Sequence, residues 1–299
     1  MDFTYFSQIL ISGVAVGSCY ALAALGFVLI YKSSRVINFA LGQMIAIGCF
    51  ITFLLNIWIG IPLLISAVLA CVISYGYCLL IERLFLRKLI GQPVIALIMV
   101  TIGLASFLDG LIYLTPFGSS NFSFDQDLSF LQINVGDVIV PGVQTAGMII
   151  SFSLIGIFTW FFKNSKMGIA MRAVADDNFA ALSVGVSVPA VFGMAWGLAG
   201  LSATSAGVVI GMITGLNFPI LSATGLTVLP AVILGGLDSI VGAVVGGITI
   251  GLVQQFCSGY LDGNFGLAGT SQVMPYVVLL IALMYRPHGL FGTHEIERV

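Results

Sequence analysis

Apolar runs long enough to cross a bilayer recur along this chain from one end to the other, and no other feature constrains the fold as strongly. Nine of them fall near residues 8–31, 36–58, 62–84, 94–114, 143–162, 188–213, 218–237, 240–260 and 272–285. A helical crossing takes about 20 apolar residues. Hydrocarbon offers no water to the backbone, so each crossing must satisfy its own N–H and C=O groups, which a helix does within one segment. The fold class expected is all-α integral membrane, a polytopic helical bundle of about 8–9 transmembrane segments. The ninth run is short. The seventh and eighth are rich in glycine and interrupted by Pro219 and Pro230, and can be either full spans or paired, broken half-helices.

Composition points the same way. Only 7% of the 299 residues are charged and 59% are hydrophobic, with a mean hydropathy of +1.14. Soluble domains carry roughly 25% charged residues. The net charge of -2, without a basic patch, gives no footing for nucleic acid. The five cysteines (Cys19, Cys49, Cys71, Cys78 and Cys257) lie in apolar stretches without metal or redox spacing and read as small buried hydrophobes. Met1-Asp2-Phe3 has no positive n-region, so the first run is expected to be an uncleaved anchor. No linker or second domain interrupts residues 1–299, which are expected to form a single transmembrane domain.

Lysine and arginine orient the chain. Lys32 and Arg35 follow the first run, Arg83, Arg87 and Lys88 the third, Lys163, Lys166 and Arg172 the fifth, and Arg286 and Arg298 the ninth. With simple alternation all ten bases fall on one side, which the positive-inside rule makes cytoplasmic. The N-terminus is then outside and the C-terminus inside. The loop at 115–140 falls outside and carries Asp125, Asp127 and Asp137 without a base. Its stretches FSFDQDLSF and LQINVGDVIV alternate apolar and polar residues, which fits either a β-hairpin lid of two extended strands or a solvated connector.

Five glycine pairs at i, i+4 (Gly13/Gly17, Gly193/Gly197, Gly207/Gly211, Gly242/Gly246 and Gly247/Gly251) predict helix faces that approach closely. Enzymatic signatures are absent. There is no P-loop, HExxH or GxSxG, and both histidines (His288 and His294) lie in the C-terminal tail. Ionisable groups are scarce in the spans. Glu82 sits beside Arg83 at the inner boundary, and Asp109, near the outer end of the fourth run, is expected to reach the headgroups rather than serve a proton relay.

Two regions carry functional expectations. The first is the inner stretch 163–188, KNSKMGIAMRAVADDNFAALSVGVSV, the longest inner connection at 26 residues. Asp176, Asp177 and Asn178 suit a helix N-terminus, Phe179 and Leu182 share a face, and Gly185 suits a C-terminal stop. A short amphipathic helix is expected there, either lying on the membrane surface or plugging a groove on a partner. The second is a path for polar solutes. Asn38, Phe39 and Gln43 open the second run. In NFPILSAT, Pro219 is expected to prevent a regular helix while Asn217, Ser222 and Thr224 offer hydrogen-bonding groups. Simple alternation sets these two places at opposite ends of one path. The plainer alternative is that Asn38 and Asn217 cap their helices.

Against that background FAALSVG resembles the EAAxxxG core of the ABC permease cytoplasmic loop, with Ala180, Ala181 and Gly185 in place and Phe179 at the Glu position. INFALGQMIAIG (37–48), LGGLDSIVGAVVGG (234–247) and RPHGLFG (286–292) resemble, in order and spacing, the permeases of branched-chain amino acid importers, a family that also includes amide and urea importers. Leu41 stands where that family often has a polar residue. The resemblance implies a transport subunit in the bacterial inner membrane, working with a second permease chain, identical or homologous. Two cytoplasmic ATPase subunits would hold ATP and Mg, and an extracytoplasmic binding protein would deliver the solute. The chain itself would bind no cofactor and hydrolyse no ATP. Arg172, Asp176, Asp177, Phe179, Ala180, Ala181 and Gly185 would form or frame the helix that couples to the ATPase. The solute would be a branched-chain or related amino acid, or an amide or urea. An ion-driven carrier or channel is the alternative from another class, and a non-transporting scaffold is disfavoured by the broken seventh run. The orientation is tested by single-cysteine labelling in a cysteine-free background. Ser119→Cys is expected to react only from outside, and reaction only from the inside would overturn the assignment.

Overall fold

The computed structural model describes residues 3–292 except Ile90, Phe117, Asp125, Gln126, Asp127, Gly136, Asp137, Asp177, Phe265, Gly266 and Ala268. The outer-loop acids Asp125, Asp127 and Asp137, together with Asp177, His294 and Arg298, therefore lie outside the described residues. Helices follow the apolar runs: α1 (Phe3–Ser34), α2 (Leu41–Phe53), α3 (Leu63–Ile81), α4 (Val94–Tyr113), α5 (Gly142–Asn164), α6 (Lys166–Asp176), α7 (Asn178–Ser183), α8 (Val188–Thr214), α9 (Phe218–Gly235), α10 (Ile240–Phe256) and α11 (Thr270–Tyr285). Among the described residues eight helical runs are long and apolar enough to cross a membrane, and α11 is a shorter apolar helix. Strands β1 (Ile133–Val135) and β2 (Val138–Val140) pair antiparallel, Ile133 opposite Val140. The hairpin therefore uses only LQINVGDVIV; Phe122, from the other stretch, bridges Leu216 instead.

The chain packs as two compact units. One comprises Met1–Ala24, Gln126–Phe152 and Thr227–Val299; the other comprises Leu25–Asp125 and Ser153–Leu226. Glycine organises the first unit. A Cβ on Gly251 of α10 would lie 2.3 Å from the Gly17 Cα of α1, and one on Gly13 would lie 2.8 Å from Leu252. So the predicted pairs Gly13/Gly17 and Gly247/Gly251 are the two sides of one contact. Apolar lipid gives helices no hydrophobic reason to associate, so backbone proximity and dispersion must hold them. The pair Gly242/Gly246 does the same against α9, where added Cβ atoms would meet Gly235 O at 2.2 Å and Ala231 O at 2.0 Å. Helices α9 and α10 thus form a tight antiparallel hairpin, with the Ser239 hydroxyl accepting from Gly242 N–H at 3.0 Å to cap α10.

At 18 residues α9 is about 27 Å long, and α10 continues through a π-helical stretch to Asn264. Both are long and apolar enough to be full spans rather than half-helices. Pro219 does not break the helix as expected. It is the second residue of α9, where a missing N–H leaves no gap in the ladder. Pro230 lies inside α9, which continues past it to Gly235.

In the second unit α2 packs against α3, α4 and α8, and α8 packs along α3. The remaining pairs act here. Gly207 and Gly211 of α8 would meet Ile45 O at 2.2 Å and Cys49 Sγ at 2.4 Å on α2, while Gly193 and Gly197 face Leu79 and Tyr75 of α3. Glu82 pairs with Arg87 rather than with its neighbour Arg83. A π-helical turn over Glu82–Leu86 brings the two together at 2.8 Å, and Arg87 Nη2 also donates to Pro189 O at 3.5 Å. The buried carboxylate thereby gains a charged partner, and the end of α3 is tied to the start of α8.

The segment after α1 departs from expectation. Arg35 turns the chain with φ +56, its N–H donating to Tyr31 O at 2.7 Å, and residues 36–40 are not helical. Leu41 then packs against Gly26 of α1, eight residues before that helix ends. The start of α2 therefore lies about 12 Å back along α1 rather than at its end. Tight backbone packing makes a sharp contrast testable. Gly251→Val has nowhere to put its methyl groups and should cost about 1–3 kcal/mol or more, read as a lowered melting temperature in detergent. Gly76→Val meets open space and should melt like the parent.

Candidate functional site

Within the second unit the start of α2, the second half of α4 and the first turns of α9 line an open cavity of about 370 Å³. The approach of α2 to α9 creates it. A Cβ on Gly42 would lie 2.0 Å from Ser222 O, and one on Gly225 2.5 Å from Gly42 Cα, so the backbones touch with no side chain between them. Gln43 and Ser222, each adjacent to that contact, then look into the same space. Its polar lining is Gln43, Ser106, Asp109 and Ser222; its apolar lining is Phe39, Ile102, Ala105, Ala223 and Leu226.

Three of the expected path residues (Phe39, Gln43 and Ser222) are therefore brought together in one place. They are not opposite ends of a path. Alternation assigns ends by counting spans, and it does not register that α2 begins partway back along α1. Asn38, Asn217, Pro219 and Thr224 do not line the cavity. Asn38 is fully buried, its Oδ1 accepting from Ala40 N–H at 3.0 Å, which makes it a turn former. Asn217 caps α9, its Oδ1 accepting from Ile220 N–H at 3.1 Å while its Nδ2 donates to Asn121 Oδ1. Thr224 is buried and donates to Ile220 O at 3.1 Å.

Asp109 has a partner that spacing alone does not reveal. It accepts from Gln43 Nε2, at 3.2 Å to Oδ1 and 3.3 Å to Oδ2. Gln43 Oε1 is buried with no hydrogen-bond partner. An unsatisfied buried acceptor costs about 1–3 kcal/mol, so its retention asks for a reason. The hydroxyls of Ser106 and Ser222 donate back to their own helices, to Ile102 O at 3.3 Å and Pro219 O at 3.2 Å, which leaves oxygen lone pairs as what they can offer a ligand. The polar side of the cavity is thus rich in acceptors and carries one carboxylate. No base is among the described residues lining it.

The connection between α5 and α8 is a second candidate surface. It is helical on both sides of residue 177, over α6 and α7. Asp176 is the last residue of α6 and so is not an N-terminal cap, and α7 begins at Asn178. Arg172 donates to Phe162 O and, at 3.4 Å, to Lys163 O, and its guanidinium lies over the Phe162 ring, which pins α6 to the end of α5. Gly185 ends α7 as expected, with φ +85, and Val186 N–H donates to Ala181 O at 3.0 Å. Ala181 is buried within the chain, whereas Ala180 is exposed and Leu182 and Val184 are exposed apolar residues beside it. The backbone of Phe179 is helical; its side chain lies outside what is described.

Comparison with known proteins adds an independent line. The family model described as branched-chain amino acid transport system / permease component matches residues 9–283. The high-affinity branched-chain amino acid transport system permease protein LivH of Escherichia coli is 30% identical, over 100% of this chain and 99% of that protein. Its counterpart BraD of Pseudomonas aeruginosa is 28% identical over 99% of this chain and 98% of its own. Among solved structures, PsaBC from Streptococcus pneumoniae in complex with Fab aligns with a TM-score of 0.52 at 16% identity, covering 97% of this chain and 95% of that one, a likeness of fold alone.

Proposed function

The chain belongs to the family of branched-chain amino acid transport system permease components, and from that premise we propose that it is the solute-conducting subunit of an ATP-driven importer of leucine, isoleucine and valine. As an ABC permease it is a multi-pass membrane protein and not itself an ATPase. A second permease chain, two ATPase subunits holding ATP and Mg, and an extracytoplasmic binding protein complete the importer. The basic ends of α1, α3 and α5 face the cytoplasm, and the β1–β2 hairpin faces outside.

The observation that carries this reading is the cavity. It combines acceptor groups, which complement an ammonium, with an aliphatic lining of Ile102, Ala105 and Leu226, which complements a branched side chain. Coupling falls to α7. Its exposed residues Ala180 and Leu182, with Val184 just beyond it, form a small apolar surface beside a sharp stop at Gly185, and a groove on the ATPase would take it. Arg172 and Asp176, both in α6, frame that helix: Arg172 pins α6 to the end of α5, and Asp176 lies two residues before α7. Asp177 and the Phe179 side chain, which complete the coupling set expected from the sequence, lie outside what is described.

The assembled importer in proteoliposomes is expected to accumulate leucine only with ATP and the binding protein present. Leucine moved by this chain alone, without ATP, would contradict the reading. Ala180→Trp should cut uptake about tenfold or more by blocking docking, with the chain still folded and inserted. Normal uptake by that variant would remove α7 from the coupling surface. Ala181→Trp is no test of docking, because Ala181 is buried in the chain's own packing.

A further inference from the structure

We propose that Asp109 and Gln43 form the point in the solute path that binds the primary ammonium group of the passing amino acid. The inference rests on the reading of this chain as an amino acid permease and specifies what the cavity recognises.

A carboxylate in a membrane-spanning helix usually faces a partner cation or a water-filled space. Asp109 has neither a lysine nor an arginine among the described residues around the cavity; its partner is the Gln43 amide, which spans both carboxylate oxygens at 3.2 and 3.3 Å. One amide group leaves much of the carboxylate's acceptor capacity unused, since an ionised carboxylate has about four lone-pair sites. Gln43 adds a second unused acceptor, the buried and unpartnered Oε1. Reversing the amide would set its oxygen against the carboxylate, so the hydrogen bond to Asp109 fixes Oε1 as the free atom.

The complement of this set is a compact cation with several N–H donors. A primary ammonium has three, enough to engage the carboxylate and a neighbouring amide oxygen. The rest of the lining is largely aliphatic and can face a branched side chain, with Ile102 on α4 about two turns before Asp109. No base lines the space to hold the amino acid's carboxylate. The pair therefore grips one end of the zwitterion only, which suits a transit point better than a closed, high-affinity pocket. Neutral amides and urea lack the ammonium, and the same groups would discriminate against them.

The test uses the assembled importer with leucine-loaded binding protein. Asp109→Asn keeps the shape and a hydrogen bond to Gln43 but removes the charge. It should lower leucine uptake about tenfold or more while ATP hydrolysis stimulated by the binding protein persists. Asp109→Glu, which keeps the carboxylate, should retain more uptake than Asp109→Asn. A second pair of variants covers the case in which Asp109→Asn does not assemble. Ser106 lies one helical turn before Asp109 and also lines the cavity. Ser106→Lys supplies a tethered ammonium that should occupy Asp109 and abolish uptake, whereas the neutral Ser106→Met, of similar length, should lower it clearly less. Uptake unchanged in Asp109→Asn, or equal loss in the lysine and methionine variants, would overturn the inference. In either event leucine transport by the parent importer would leave the permease reading in place, and failure of the parent to transport leucine would remove that reading instead.

Discussion

The contact between Gly42 and Gly225 is the constraint on which the functional part of this chain depends. Added Cβ atoms would fall 2.0 Å from Ser222 O on one side and 2.5 Å from Gly42 Cα on the other, so neither helix could carry a side chain there without separating. That approach puts Gln43, Ser222 and Leu226 around one space, which α4 closes with Ile102, Ser106 and Asp109. The same rule runs through each unit. Between apolar helices in lipid the hydrophobic effect gives no net drive, and packing has to come from close backbone approach. Gly17 on Gly251, Gly235 on Gly242 and Gly207 on Ile45 are repeated solutions of that one problem.

The stretches that carry the family resemblance can be understood as junctions of this kind. RPHGLFG and the start of LGGLDSIVGAVVGG meet each other: Leu290 N–H donates to Leu234 O at 2.8 Å and Phe291 N–H to Gly235 O at 3.0 Å. The tail thereby satisfies carbonyls at the end of α9 that no further helical turn could reach. Gly236 at φ +107 and Gly289 at φ +78 stand at this crossing, and a Cβ on Gly289 would lie 2.6 Å from Ile233 O. Both the conformation and the space require glycine.

Much of the fold was legible in the sequence because hydropathy and small-residue spacing report directly on helices in lipid. The nine runs became α1–α5 and α8–α11, and all five glycine pairs lie on packed faces. What could not be read has a common physical cause. Hydropathy gives the length of a span and says nothing of where along its neighbour the next one starts, so the non-helical return over residues 36–40 was invisible and Gln43 was placed at one end of a path. The bond between Gln43 and Asp109 joins positions 66 apart, with no local signal. At Pro219 and Asp176 the residue type allowed two placements, and the choice was settled by which neighbours extended the helix. A proline at a start and an aspartate at an end look locally like their opposites.

The central claim is that this cavity belongs to an aqueous path rather than to a lipid-facing crevice. It is tested most directly at Ser222, replaced by cysteine in a chain whose five native cysteines have been removed. In the assembled importer, Ser222→Cys should react with a membrane-impermeant thiol reagent at a rate that changes with ATP and leucine-loaded binding protein. A cysteine there that never reacts from water in any nucleotide state, while reacting with a lipid-soluble maleimide, would contradict the account.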